Sequence, residues 1–323
     1  MPSLSLIIIS QGSDERLLKC LDALQVPEMD WQLILHIHGK PLADAVRAKA
    51  ESLTSSVLIL ETPEHLNHGK AKNIALDEAQ GEWVCFLSED ATLMRGYWDI
   101  VRPLLSETKI EVLGGIDVMA SGMSALSRAQ GIALSSPFCA GTTFVRHQAS
   151  GRKLQAADEE KLSQTHIWIR RSVIGNTRFP ENYKRGDEVL FLQELKKKGV
   201  GMYYQPRLKV YLFRAQRMSE IFRSTFYAGY YRSKIIREKL TSSAGVFWLP
   251  TVFVFLHVMF VIDLETFITL SRLYLAIVTF VSLALASRAK STWLFPIVAI
   301  LHYFIVLIFG VGFLTERLFK DKN

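Results

Sequence analysis

Cysteine is scarce in this sequence: Cys20, Cys85 and Cys139 are the only three in 323 residues, and no two stand at a metal-ligand spacing. That excludes a disulfide scaffold and a cysteine-based zinc site, and the odd count in a domain read below as cytosolic implies reduced thiols. Glycine-rich nucleotide loops are missing too. No G-x-G-x-x-G opens a helix after the first apolar run and no G-x-x-x-x-G-K-[ST] occurs, which removes the sequence case for a dinucleotide fold or a P-loop. There is no internal repeat and no low-complexity tract. Residues 1–10 are apolar without a basic leader and are too short for a signal peptide or a span, so they read as a first β-strand.

Apolar sequence, by contrast, is abundant. Hydrophobic residues make up 49% of the chain and the mean hydropathy is +0.18, too apolar for an ordinary soluble protein. The excess lies at residues 245–262, 267–286 and 293–314, three segments long enough to cross a hydrocarbon core of about 30 Å. Pro250, Pro296 and Arg272 are compatible with spans, because neighbouring helices accommodate proline and long basic side chains snorkel. Asp263 and Glu265 lie in the first connecting loop, Arg288 and Lys290 in the second. The positive-inside rule therefore puts the second loop, and with it the large N-terminal domain, in the cytoplasm. Three crossings would leave a mildly basic tail, Arg317, Lys320 and Lys322 against Glu316 and Asp321, on the far side; a re-entrant segment is the alternative.

The net charge of +7 is concentrated. Residues 207–239 hold nine Lys and Arg against Glu220 and Glu238, an excess equal to the net charge of the whole chain. Phe222, Phe226, Tyr227, Tyr230 and Tyr231 recur there at helical spacing. A basic aromatic helix directly before an apolar segment points to anionic lipid head groups and not to nucleic acid.

In the first part of the chain, short apolar runs alternate with helical patterns: residues 4–9 then 14–24, 32–37 then 42–50, 57–60 then 70–79, and 83–87 before an acidic turn. This rhythm predicts an α/β fold with a doubly wound, mostly parallel sheet, which binds ligands beyond the carboxyl ends of its strands. Beyond residue 114 the pattern loosens, as expected of substrate loops. The expected organisation is an α/β domain over 1–206, a basic interfacial segment over 207–241, a membrane domain of about three helices over 245–314 and a tail over 315–323.

Three short segments could carry chemistry. Ser88-Glu89-Asp90 follows an apolar strand, where carboxylates can hold a hard divalent cation or simply make a turn. Asn67-His68-Gly69-Lys70-Ala71-Lys72-Asn73 enters a helix, whose start favours anions, or is a plain cap with solvated lysines. Gly186-Asp187-Glu188 opens a helix, where acids are favoured by the dipole or act as a general base. His36, His38, His65 and His68 sit in close pairs but read as structural or surface residues, and Cys85 as core.

Taken together, their order resembles the family 2 glycosyltransferases of the GT-A fold. The likeness covers about residues 3–240. It rests on the opening strand to Gly12, the Gly69 and Asn73 helix, the Ala79-Gln80-Gly81-Glu82-Trp83-Val84 approach to Asp90, residues 168–173 with Arg178-Phe179-Pro180, the acidic helix from Gly186, and Tyr204-Gln205-Pro206 with the basic helix of membrane-associated members that make bacterial surface polysaccharides.

The resemblance implies an inverting transferase that moves a sugar from a nucleoside-diphosphate donor to a hydroxyl of a lipid-linked, polyprenyl-type acceptor at the inner membrane, and the three apolar segments after the domain, with no long run of spans on both sides of it, favour single addition over processive synthesis. It implies Glu188, or Asp187 with a register shift of one, as the base. Gly12, Gly69, Lys70, Asn73, Ser88 and Glu89 would line the nucleotide sugar, and Asp90 with Glu89 would hold Mg²⁺ or Mn²⁺. The chain also departs from the family pattern: Gly12 replaces an Asn, His36-Ile37-His38-Gly39 an Asp pair, Ser88 the first metal-motif Asp, and Leu212 a metal-binding His, while the acidic pair runs Asp then Glu. These departures imply a weakly held metal or none, and leave a membrane-tethered nucleotide-sugar sensor or scaffold as the alternative to an enzyme.

Overall fold

The computed structural model describes all residues except 1–2, 13, 121, 149–150, 215–216, 239–243 and 320–323. Lys239 of the basic stretch and Lys320, Asp321 and Lys322 of the tail therefore lie outside the described residues. The chain runs β1 (Leu4–Ser10), α1 (Asp14–Asp22), β2 (Trp31–His38), α2 (Asp44–Leu53), β3 (Val57–Thr62), α3 (His68–Asp77), β4 (Trp83–Ser88), β5 (Ala91–Leu93), α4 (Tyr97–Leu105) and β6 (Val112–Met119). There follow α5 (Ala125–Leu134), α6 (Pro137–Ala140), β7 (Gln155–Ala156), β8 (His166–Arg170), α7 (Arg171–Ile174), α8 (Asp187–Lys197) and β9 (Met202–Leu212). The last elements are α9 (Met218–Glu238), α10 (Leu249–Ile262), α11 (Leu264–Arg288) and α12 (Phe295–Leu318). Two compact units result, one from Met1–Ala120 and Gln148–Phe213, the other from Ser121–His147 and Arg214–Asn323.

The first unit is a nine-stranded sheet in the order β3-β2-β1-β4-β8-β6-β9-β5, with β7 on β9. β1 to β4 pair in parallel, while β8 runs antiparallel to both β4 and β6. The alternation of side chains along β1 feeds two cores. Leu4, Leu6 and Ile8 pack beneath α1, α2 and α4, and Ile7 packs on the α3, α7 and α8 face. Burial on both faces is why β1 and β2 read as continuous apolar runs. Gly81 lets the chain approach β1: a Cβ there would fall 2.4 Å from the Ser5 nitrogen, while Ser5 Oγ accepts from the Gln80 and Gly81 amides at 3.1 and 2.8 Å.

Several sequence expectations are corrected here. β9 continues to Leu212, so the sheet extends past residue 206 and takes Arg207 and Lys209 out of the basic helix. Residues 121–147 belong to the C-terminal unit, where α5 packs Ala129, Ile132 and Ala133 against Val298, Leu301 and Ile305 of α12. Of the three apolar segments, two form helices long and apolar enough to cross a membrane, Leu264–Arg288 and Thr292–Leu318. The first is a 3-10 turn followed by the 14-residue α10, about 21 Å long against a core of about 30 Å.

Candidate active site

The acidic turn, the start of α3 and the start of α8 are the segments the sequence singled out, and the fold links all three. Ser88 donates its amide to the Thr165 carbonyl at 2.8 Å. Next to it in sequence, Gln164 Oε1 accepts from Lys72 Nζ at 3.0 Å, and the same ammonium is 2.7 Å from Asp187 Oδ2. Residues 163–165 thus bridge the acidic turn and the acidic pair. Asp117, at the end of β6, joins this cluster by accepting from Ser163 Oγ at 2.8 Å and Thr165 Oγ1 at 3.1 Å.

At the turn, Glu89 accepts a short hydrogen bond from Ser10 Oγ, which in turn accepts from the Gly12 amide at 3.1 Å. Gly12 has φ +87, which favours glycine. Burial pushes the Glu89 carboxyl up to about 7, with the Ser10 hydrogen bond opposing and the Asp90 charge adding. Asp90 pairs with Arg16 at 2.8 Å and remains partly open to solvent. Its carbonyl accepts from the Phe213 amide at 2.9 Å, and Leu212 pairs with Ala91, so the end of β9 lies beside the turn with a leucine and no ligand.

Whether these residues fit a divalent cation follows from the donor set. Glu89 and Asp90 are hard oxygen donors whose mutual repulsion raises the proton affinity of Glu89. Among the described residues, no three His, Cys, Asp or Glu side chains converge. The set fits a Mg²⁺- or Mn²⁺-type ion held by few carboxylates and completed by substrate phosphate oxygens and water.

At α8, Gly186 takes φ +80 and turns the chain into the helix, so that Asp187 and Glu188 form its first turn. Both are buried, at 1% and 6% exposure. Lys72, buried on α3 and 4.9 Å from the Phe179 ring centre, neutralises Asp187. Glu188 shares its surroundings with His68 and Arg185, both of which feel its charge.

Two of the residues expected at the donor have a packing role in the fold. Asn73 donates to the Phe179 carbonyl at 2.9 Å and to Glu181 Oε1 at 3.1 Å, and its Oδ1 accepts from the Phe179 amide at 2.8 Å. It pins residues 179–181 to α3. Gly69 is also an internal packing site, because a Cβ there would meet the Pro180 carbonyl oxygen at 2.3 Å. Lys70 is exposed at the helix start, where Asn67 Oδ1 caps its amide at 2.9 Å. The residues that sequence reasoning missed are Lys72, Asp117 and the 163–165 bridge. Lys72 alone left a signal, a lysine between Ala71 and Ala75 on a helix face that packs inward.

The strand-end histidines are structural. His36 donates from Nδ1 to the Ala71 carbonyl at 2.9 Å, leaving Nε2 to accept from Thr62 Oγ1 at 3.0 Å. His38 Nδ1 accepts from the Leu66 amide at 3.1 Å. Burial lowers both, His38 to about 4, and lowers His166 to about 3. The unfolded chain therefore binds more protons below about pH 6.5, and the stability present above that value is lost as pH falls, by up to about 1.4 kcal/mol per pH unit for each histidine. Thermal melts are expected to drop steadily between about pH 7 and about pH 5; an unchanged melting temperature would show that these rings are protonated in the fold.

The glycosyl transferase family 2 model matches residues 5–174, a little over half the chain and the stretch that carries β1, the α3 start, the acidic turn and β8. The chain belongs to glycosyl transferase family 2. The fold is that of GT-A glycosyltransferases. Mannosyltransferase PcManGT from Pyrobaculum calidifontis, solved in complex with GDP-Man and Mn²⁺, is similar with a TM-score of 0.62 at 14% identity, over 99% of this chain and 88% of that one. Residues 1–349 of S. aureus TarS, in complex with UDP-GlcNAc, are similar with a TM-score of 0.52 at 14% identity, over 99% and 93%. No curated protein matches the sequence significantly. Of the bridged cluster, the acidic turn at the carboxyl end of β4 lies within the matched residues, while Asp187 and Glu188 lie beyond them.

Proposed function

We propose that this glycosyltransferase moves a sugar, with inversion, from a nucleoside-diphosphate sugar to a hydroxyl of a polyprenyl-linked acceptor in surface polysaccharide synthesis, working on the cytoplasmic side of the inner membrane. The observation that carries this reading is the bridge of residues 163–165, which ties a diphosphate-side acidic turn to a buried acidic pair. The donors held by the two similar structures, GDP-Man and UDP-GlcNAc, support a nucleotide sugar. The long apolar helices of the C-terminal unit support a membrane-held acceptor.

Asp187 is bound by Lys72, and Glu188, at the position the family resemblance gives the base, takes the acceptor proton. The acceptor oxygen forms its bond to the anomeric carbon as the bond to the diphosphate breaks, and the electron pair leaves on the phosphate oxygen. Asp90 and Glu89 would hold the divalent metal, which when bound neutralises charge on the departing diphosphate. Lys70 and the Gly12 loop add positive potential and backbone amides near the strand ends.

Transfer by Asp90→Ala protein in membranes is expected to fall by roughly 10²-fold, with a parallel rise in the Mn²⁺ or Mg²⁺ concentration required. Full activity of both Asp90→Ala and Glu188→Gln would sink the assignment.

A further inference from the structure

The C-terminal unit raises a question that helix length alone does not answer. α12 has 24 residues, about 36 Å, enough to cross a bilayer. Arginine and tryptophan meet at both its ends. Arg128 donates to Ser291 Oγ at 2.7 Å and lies over Trp293, and Arg317 lies over Trp248. Such pairs mark membrane interfaces and fit a crossing helix as well as one lying in the surface. The middle of α12 decides between them.

There α9 runs alongside in the same direction, with Phe222 5.4 Å from Phe304 and Ser233 at Glu316. The two backbones touch. A Cβ on Gly229 would fall 2.1 Å from the Phe309 carbonyl oxygen, and one on Gly312 the same distance from that of Phe226. A buried polar clamp locks the pair: Glu316, 1% exposed, accepts from Ser233 Oγ at 2.7 Å and from Arg237 Nε at 2.8 Å. So α12 takes α9 wherever it goes. Yet α9 carries Glu220, Arg223, Arg232, Lys234, Arg237 and Glu238 in 21 residues, and it is not among the helices apolar enough to cross.

If α12 crossed, Glu220 and Arg223 would sit near the bilayer centre beside Phe304, where charged side chains are strongly disfavoured. Chain connectivity adds to this. The chain enters the unit at Arg214, shortly before an α9 first turn whose Ile221 packs with Leu301 and Ile305, midway along α12. A crossing would place that entry point deep in hydrocarbon. The exposed large apolar residues of α12 agree, since Ile300, Phe304, Val311 and Leu318 fall on one narrow face along its length.

We propose that α12 does not cross the bilayer but lies with α9 along an anionic phospholipid leaflet, its stripe of Ile300, Phe304, Val311 and Leu318 facing the acyl chains and both its ends on one side. Arg223, exposed on α9, meets the lipid phosphates, while α10 and α11, which carry most of the exposed large apolar side chains, dip into the hydrocarbon. This inference rests on reading the C-terminal unit as membrane-bound.

The test uses the full chain in sealed membrane vesicles and a membrane-impermeant maleimide, with Lys290→Cys before α12 and Phe319→Cys after it, and the signal of the parent protein subtracted. Both positions are expected to label to the same extent before vesicles are opened, or both only after. Labelling of one position before opening and loss of it at the other would overturn the inference while leaving the membrane reading intact. Recovery of the protein in the soluble fraction would overturn the membrane reading itself. If either variant is not recovered folded, Ala289→Cys and Lys322→Cys, before and after α12 in the sequence, take their place.

Discussion

Glu188→Gln protein is expected to bind a nucleotide sugar as the parent does and to lose sugar transfer by about 10²–10⁴-fold, the range for removal of a general base. Asp187 and Glu188 both open α8 and both are buried, but Asp187 is held by Lys72 at 2.7 Å inside a closed set with Gln164. A carboxylate so paired is a poor proton acceptor, because taking a proton would strand the buried ammonium. Glu188, the next residue in the same helical turn, lies among His68 and Arg185, both of which feel its charge. Asp187→Asn should therefore show its main effect in stability and Glu188→Gln in kcat. A folded Asp187→Asn protein with the larger loss of kcat, beside a Glu188→Gln protein that still turns over, would reverse the assignment.

Lys72→Met is expected to destabilise the sheet unit by about 3–5 kcal/mol, since it removes one partner of a buried ion pair and leaves the Asp187 charge uncompensated. For a unit of this size that is a fall of roughly 10 °C in Tm. The same substitution combined with Asp187→Leu should recover much of the lost stability, because the stranded charge is removed as well. The double variant should not recover transfer if the pair also sets the position of α8. A Lys72→Met protein that melts with the parent would mean that α3 and α8 are held by their apolar contacts alone, and the bridge from the acidic turn to the acidic pair would lose its significance.

The parallel half of the fold was legible because its physics is local. β1 to β4 are short apolar runs broken by helical periodicity, and the observed elements fall on those runs. The second half was not, for reasons visible in particular residues. Ala129, Ile132 and Ala133 form an apolar helical stripe inside a small-residue stretch that also reads as loop, and their partners on α12 lie far along the chain. Asn73 and Gly69 fit a donor-binding motif, and only the return of residues 179–181, 106 positions after Asn73 in the case of Phe179, shows that they hold a loop. Lys72 looked solvated until Asp187 arrived beside it. The long apolar segments were correctly located, but composition could not reveal that one of them is clamped through Glu316 to the most basic helix of the chain. Local patterns survive in sequence, whereas pairings across a hundred residues do not.

The central claim is that this family 2 chain is an active transferase with Glu188 as its base. It is tested most directly by offering a panel of nucleoside-diphosphate sugars to the purified, detergent-solubilised full chain and measuring release of nucleoside diphosphate beside donor binding by calorimetry. At least one donor should both bind and be turned over, by transfer or slow hydrolysis, and Glu188→Gln should keep the binding and lose the turnover. Binding with no turnover of any donor by the parent, or equal turnover by parent and variant, would contradict it.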